Sequence, residues 1–174
     1  MLQQFFSRAG RDRRRRGDRG ERLGGYTYGT IIALATIVGA AEAFKHGAGH
    51  IAILVLVTAC VFWLAHVYSD AIADSLTRGQ RLSWAELREI AARESSIIEA
   101  AVIPVLLLAG GTLGLYSVHA AVWLAFIGGL GVLIAEGLAF ARAERLGVVA
   151  SLAVVAANLT LGLMLVGLKL WVSH

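Results

Sequence analysis

The 174-residue chain has little of what a water-soluble domain relies on. Charged residues make up only 16% of it, where a soluble globular domain carries about 25%. One cysteine, Cys60, excludes an intrachain disulfide framework and a cysteine-built metal knuckle. One proline excludes collagen-like and proline-rich classes. No nucleophile elbow, no HExxH zinc pair and no aspartate-rich phosphate motif is present, and Ser69 beside His66 and Asp70 on one helix lacks triad geometry. The sequence therefore does not read as an enzyme. What it has in excess is apolar surface, with 57% hydrophobic residues and a mean hydropathy of +0.70. A chain this small has no interior large enough to hide that excess. An all-α integral membrane bundle is expected.

Five apolar segments follow a basic start. A helix needs about 20 residues at 1.5 Å each to cross a hydrocarbon core of about 30 Å. The candidates run over residues 26–44, 51–73, 97–116, 120–141 and 148–171. They lack the strict alternation of a transmembrane barrel. Between the second and third, Ser83-Trp84-Ala85-Glu86 fits a capping box, and Trp84, Leu87, Ile90 and Ala91 share one face. A short amphipathic helix on the cytoplasmic surface is expected there.

Charge sets the orientation. Eight arginines, from Arg8 to Arg22, precede the first span. With the N-terminus inside, fourteen of the sixteen Lys and Arg residues fall on the inner side, leaving only Lys45 and Lys169 outside. That is a strong positive-inside signal. The expected topology is a multi-pass protein of the cell membrane, with the N-terminus cytoplasmic and the C-terminus outside. Residues 1–24 read as a solvated, disordered arm that holds the first helix in place and touches anionic lipid. No aromatic residue interleaves with the arginines from Arg8 to Arg22, so nucleic acid is not an expected partner. A signal peptide ending near Ala41–Ala43 is the alternative reading of this end, but its apolar run is long and no soluble domain follows.

Some residues need a reason to lie where lipid excludes charge, since a charge at mid-bilayer costs about 2.5–3.5 kcal/mol on insertion scales. His66, Asp70 and Asp74 share one face of the second helix through their spacing of four. Glu99 enters the third helix at a similar depth. Glu136 lies sixteen residues past Ala120, about 24 Å along the fourth. His66, Glu99 and Glu136 thus fall in one inner layer, with Asp70 a turn below and Asn158 near the midplane of the fifth helix. Such a set could ligate a divalent metal through His66, Glu99 and Glu136 or pass protons. Snorkelling, or pairing with Arg93, Arg142 or Arg145, is the plainer alternative. Glu42 near the outer edge is a further cation-site candidate, or an ion-pair partner of Lys169. No resident cofactor is implied; a divalent metal would be substrate.

Gly25 and Gly29, and Gly110 and Gly114, have GxxxG spacing, and Gly128, Gly129 and Gly131 cluster in the fourth span. Such positions let helices approach closely, within the monomer or in a homo-oligomer, with a dimer favoured. Pro104 is expected to kink the third span.

The order of spans, together with Tyr28-Gly29-Thr30-Ile31, Gly39-Ala40-Ala41, Tyr68-Ser69 and Ile103-Pro104, resembles the vacuolar iron transporter family. The resemblance covers roughly residues 25–172 and implies a dimeric carrier of divalent cations. Three features depart from it. Tyr28 stands where that family has an aspartate, the carboxylate-rich insert shrinks to one short helix, and no methionine lies near His66. The family's ligands therefore have no counterparts to carry over. Two functions follow: transport or conduction of a cation, proton or divalent metal, through the inner polar layer, or a structural subunit docking a larger membrane complex.

Overall fold

The computed structural model describes the backbone of residues 2–43 and 47–172, and the side chains within these except those of 2–19, 42, 168–170 and 172. The described chain is all helical. Six helices follow in order: α1 (Leu2–Ala43), α2 (Ala48–Arg78), α3 (Trp84–Arg93), α4 (Ser96–Thr112), α5 (Val118–Ala143) and α6 (Val148–Val172). Four segments are long and apolar enough to cross a membrane: Gly20–Ala41 within α1, Ala48–Arg78, Val118–Ala143 and Val148–Gly167. Helices α3 and α4 meet that test only as a pair, bent by 43° at a short break, which brings the count to as many as five.

The basic start belongs to α1. Its backbone continues α1 back to Leu2. Arginine and glutamine are good helix formers, and elongating a helix already nucleated by packing avoids the cost of a new nucleus.

Helix α1 is the hub, since it packs against every other helix of the fold. Its Ala33, Leu34 and Ile37 are buried against Ile51, Val55 and Ala59 of α2, Ala101 and Leu108 of α4, and Ala125, Phe126 and Leu133 of α5. The outer surface is the reverse of a soluble protein's. Leu64, Leu106, Ile127, Leu152 and Met164 are all exposed. A belt of that kind suits acyl chains rather than water.

The glycines of α1 permit one close crossing. A Cβ on Gly29 would lie 2.5 Å from the Ile97 carbonyl oxygen and 2.9 Å from its Cα, so α1 and the start of α4 meet backbone to backbone. The Gly25/Gly29 pair thus closes the monomer. The second spacing behaves differently: α4 ends at Thr112, and Gly114 sits beyond it in a turn at φ 75°. The bend into α4 likewise falls before Ser96, and the helix runs on through Pro104.

Local chemistry sets the ends of α3. Ser83 accepts from the Glu86 amide, and the Glu86 carboxylate accepts from the Ser83 amide at 2.7 Å. Ile90 is buried, and Trp63 of α2 donates its indole N–H to the Ala91 carbonyl at 3.0 Å. Trp63 thereby ties α2 to α3.

Candidate functional site

Three side chains placed in one layer by sequence each face a different neighbour on α1. Tyr26 donates its phenol hydroxyl to the Glu99 carboxylate of α4. Thr27 donates to Glu136 Oε2 of α5 at 3.0 Å. The Tyr28 ring lies against the His66 ring of α2, with centroids 4.8 Å apart. Consecutive helical residues point about 100° apart, so the three groups share a height but are distributed around α1. Among the described residues no three His, Cys, Asp or Glu side chains come close enough to hold a metal. The divalent-metal set of His66, Glu99 and Glu136 is therefore not assembled within the described chain, because its members stand on opposite sides of the hub.

Each candidate has its own partners. Glu99 is held at the arginine-rich end by Arg22 Nη2 at 3.1 Å, by Ser95 at 2.7 Å and by Tyr26. Asp70 pairs with Arg93 at 3.0 Å, and Arg93 also reaches Glu21 and Glu94. Asp74 pairs with Arg78 at 3.1 Å. Guanidinium groups neutralise all three carboxylates; Arg93 is one of the partners the sequence offered, whereas Arg22 and Arg78 are not. His66 is half-buried, and its Nδ1 lies 3.0 Å from the Phe62 carbonyl. A carbonyl only accepts, so Nδ1 carries the proton of that bond. Asn158 of α6 donates its amide to the Leu133 carbonyl at 3.1 Å, one turn along α5 from Glu136. The Glu42 side chain and Lys45, and any pair between Glu42 and Lys169, lie outside the described residues.

Glu136 is different. It is 7% exposed, deep in the contact between α5 and α1, and no Lys, Arg or His among the described residues pairs with it. Its partners are hydroxyls. Thr30, fully buried, places Oγ1 at 3.5 Å from Glu136 Oε1, but its single proton goes to the Tyr26 carbonyl at 2.8 Å. Thr27 donates to one carboxyl oxygen and the Thr30 hydroxyl faces the other.

Thr27 and Thr30 were not singled out by sequence reading. The signal was available, since the two are three residues apart on one face of an otherwise apolar segment. Tyr26 sits between the two carboxyl groups. Its hydroxyl serves Glu99 and its carbonyl orients the Thr30 that abuts Glu136.

Beside Tyr26 a cavity of about 480 Å³ opens at the arginine-rich end of α1 and α5, lined by Arg22, Leu23, Tyr26, Ala139, Arg142 and Ala143. A second, of about 360 Å³, lies at the opposite end between α2, α4 and α5, lined by His50, Thr112 and Val118 among others.

No protein-family model, curated protein or solved structure matches this chain. The likeness to vacuolar iron transporters thus stands on sequence features alone.

Proposed function

We propose that this chain is a five-span integral membrane protein that passes protons across the bilayer by protonation and release at Glu136. The observation that carries the reading is the burial of that carboxyl between two threonine hydroxyls, with no basic partner among the described residues. An ionisable group placed at such cost is a functional group by default. On this reading α3 lies along the cytoplasmic surface and leads into α4 as the fifth span. The N-terminus is cytoplasmic and the C-terminus outside, as the distribution of lysine and arginine requires, and the cell membrane is the setting. Proton is favoured over divalent metal because the candidate ligands stand apart around α1. Glu99, Tyr26 and Arg22 form the polar group nearest the arginine-rich end, and Asn158 continues the polar line beyond Glu136.

The test is flux into proteoliposomes. Wild-type protein should dissipate an imposed pH gradient, and Glu136→Gln should slow it at least tenfold while leaving the fold intact. No proton flux from the wild type, or unchanged flux from the variant, defeats the proposal. Parallel runs with K⁺, Fe²⁺, Mn²⁺ and Zn²⁺ identify a metal cargo if one replaces the proton.

A second reading, a structural subunit that docks a larger membrane complex, is supported by α6. Only 6% of its apolar segment is buried within the chain, against 39% for that of α1. Absence of flux for every ion, with co-purification of a membrane complex that α6 substitutions release, would favour it.

A further inference from the structure

We infer that the cavity between the arginine-rich ends of α1 and α5 is a binding site for one anionic phospholipid, its phosphate held by Arg142 and Arg22 and its acyl chain laid outward over Leu23, Ala139 and Ala143. The inference rests on the reading that α1 and α5 cross a bilayer. It is independent of proton transfer and of the basic segment 1–19.

The lining divides by chemistry. Arg22, Arg142 and the Tyr26 hydroxyl are its polar members, and Leu23, Ala139 and Ala143 its apolar ones. A soluble anion has no use for the apolar members, and a neutral lipid has none for the two cations. A headgroup phosphate with a chain attached uses both. Height agrees as well: Arg22 and Arg142 stand at the ends of the apolar segments Gly20–Ala41 and Val118–Ala143, where a phosphate layer meets hydrocarbon. Basic pockets between membrane helices at this level bind anionic headgroups.

The two cations are not equivalent. Arg22 is already engaged by Glu99 at 3.1 Å. Arg142 is exposed, on the last turn of α5, and no carboxylate among the described residues pairs with it. A guanidinium with no carboxylate partner among the described residues, beside a cavity, is the stronger anchor, with two or more donors available to phosphate oxygens. Arg22 then shares its remaining donors between Glu99 and the lipid.

The experiment uses the full chain in neutral detergent, titrated with phosphatidylglycerol or phosphatidylcholine and followed by native mass spectrometry. Wild-type protein should retain phosphatidylglycerol at least tenfold better than phosphatidylcholine. Arg142→Gln should reduce that preference about tenfold. Arg88→Gln, which alters an exposed arginine of α3 away from the cavity, should leave it unchanged. Glycerol phosphate at millimolar concentration should fail to displace the lipid. Equal retention by wild type and Arg142→Gln overturns the proposal and assigns lipid preference to other basic residues. Displacement by glycerol phosphate overturns it in favour of a small-anion site. Because Arg142 makes no described contact needed for packing, melting of Arg142→Gln in lipid-free detergent should match wild type. Recovery in alkali-washed membranes reads the bilayer assignment separately.

Discussion

The Thr27 hydroxyl donates to the Glu136 carboxyl at 3.0 Å, joining α1 to α5 across 109 residues of sequence. The bond is made inside the bundle, with Thr30 completing the cradle and Leu133 and Leu34 packed in the same core.

Removing that bond should be felt. Thr27→Val keeps the shape but leaves Oε2 without its donor, which costs about 1–3 kcal/mol for an unsatisfied buried group. Thermal unfolding in detergent should therefore show a lower midpoint for Thr27→Val. Glu136→Leu, which removes the polar group altogether, should melt at or above wild type. A Thr27→Val midpoint equal to wild type would mean that the carboxyl finds another donor.

Two glycines of α1 should respond in opposite directions to alanine. At Gly29 the new methyl meets the backbone of Ile97, which cannot swing aside. Forcing α1 from α4 should cost about 1–3 kcal/mol. At Gly39 nothing lies within 4 Å of the new Cβ, and the gain in helix propensity is up to about 1 kcal/mol. Chemical denaturation of Gly29→Ala and Gly39→Ala should rank them on either side of wild type.

The Asp70–Arg93 pair should contribute little. Its side chains are 40% and 32% exposed. Pairs of that kind are worth about 0–1 kcal/mol, so Asp70→Asn should shift stability by less than that and leave proton flux within twofold of wild type. A loss of flux comparable to that of Glu136→Gln would move the site toward α2.

Helix α3 should loosen in acid. The Ser83 amide and hydroxyl hold the Glu86 carboxylate below its usual value of 4.5. A group depressed on folding stabilises above its unfolded value, and that contribution is lost as pH falls through the folded one. Hydrogen exchange across Trp84–Leu87 should therefore quicken as pH drops below about 4.5, after correction for intrinsic rates. Ser83→Ala should produce about fivefold faster exchange already at neutral pH, the kinetic equivalent of a typical cap loss.

Much of this was legible in the residues. Apolar runs of the right length gave the helices, Ser83 and Glu86 gave the start of α3, and Gly25 with Gly29 gave a close crossing. Rise per residue placed His66, Glu99 and Glu136 at one height, and Tyr26, Thr27 and Tyr28 meet them there. Height along an axis says nothing of direction around it, however. The sequence could not show that α1 stands between the three groups, because that follows from how the helices cross. Nor could it show which carboxylates were neutralised. Arg93 reaching Asp70 and Arg22 reaching Glu99 are contacts across 23 and 77 residues. Among the described residues Glu136 is set apart by having no cation paired with it, which only the packing reveals.

The hub position of α1 also has a temporal side. Ribosomes make this helix before the other five described, yet its threonines contact a side chain that emerges only after four further helices have begun. Gly25 and Gly29 are covered once α4 arrives, but Thr27 has no carboxyl to hold until α5 does. The Thr27 face of α1 must therefore wait, or be shielded by the insertion machinery, while α2 and α4 already pack against its other faces. The bundle around α1 closes only when the late helices arrive.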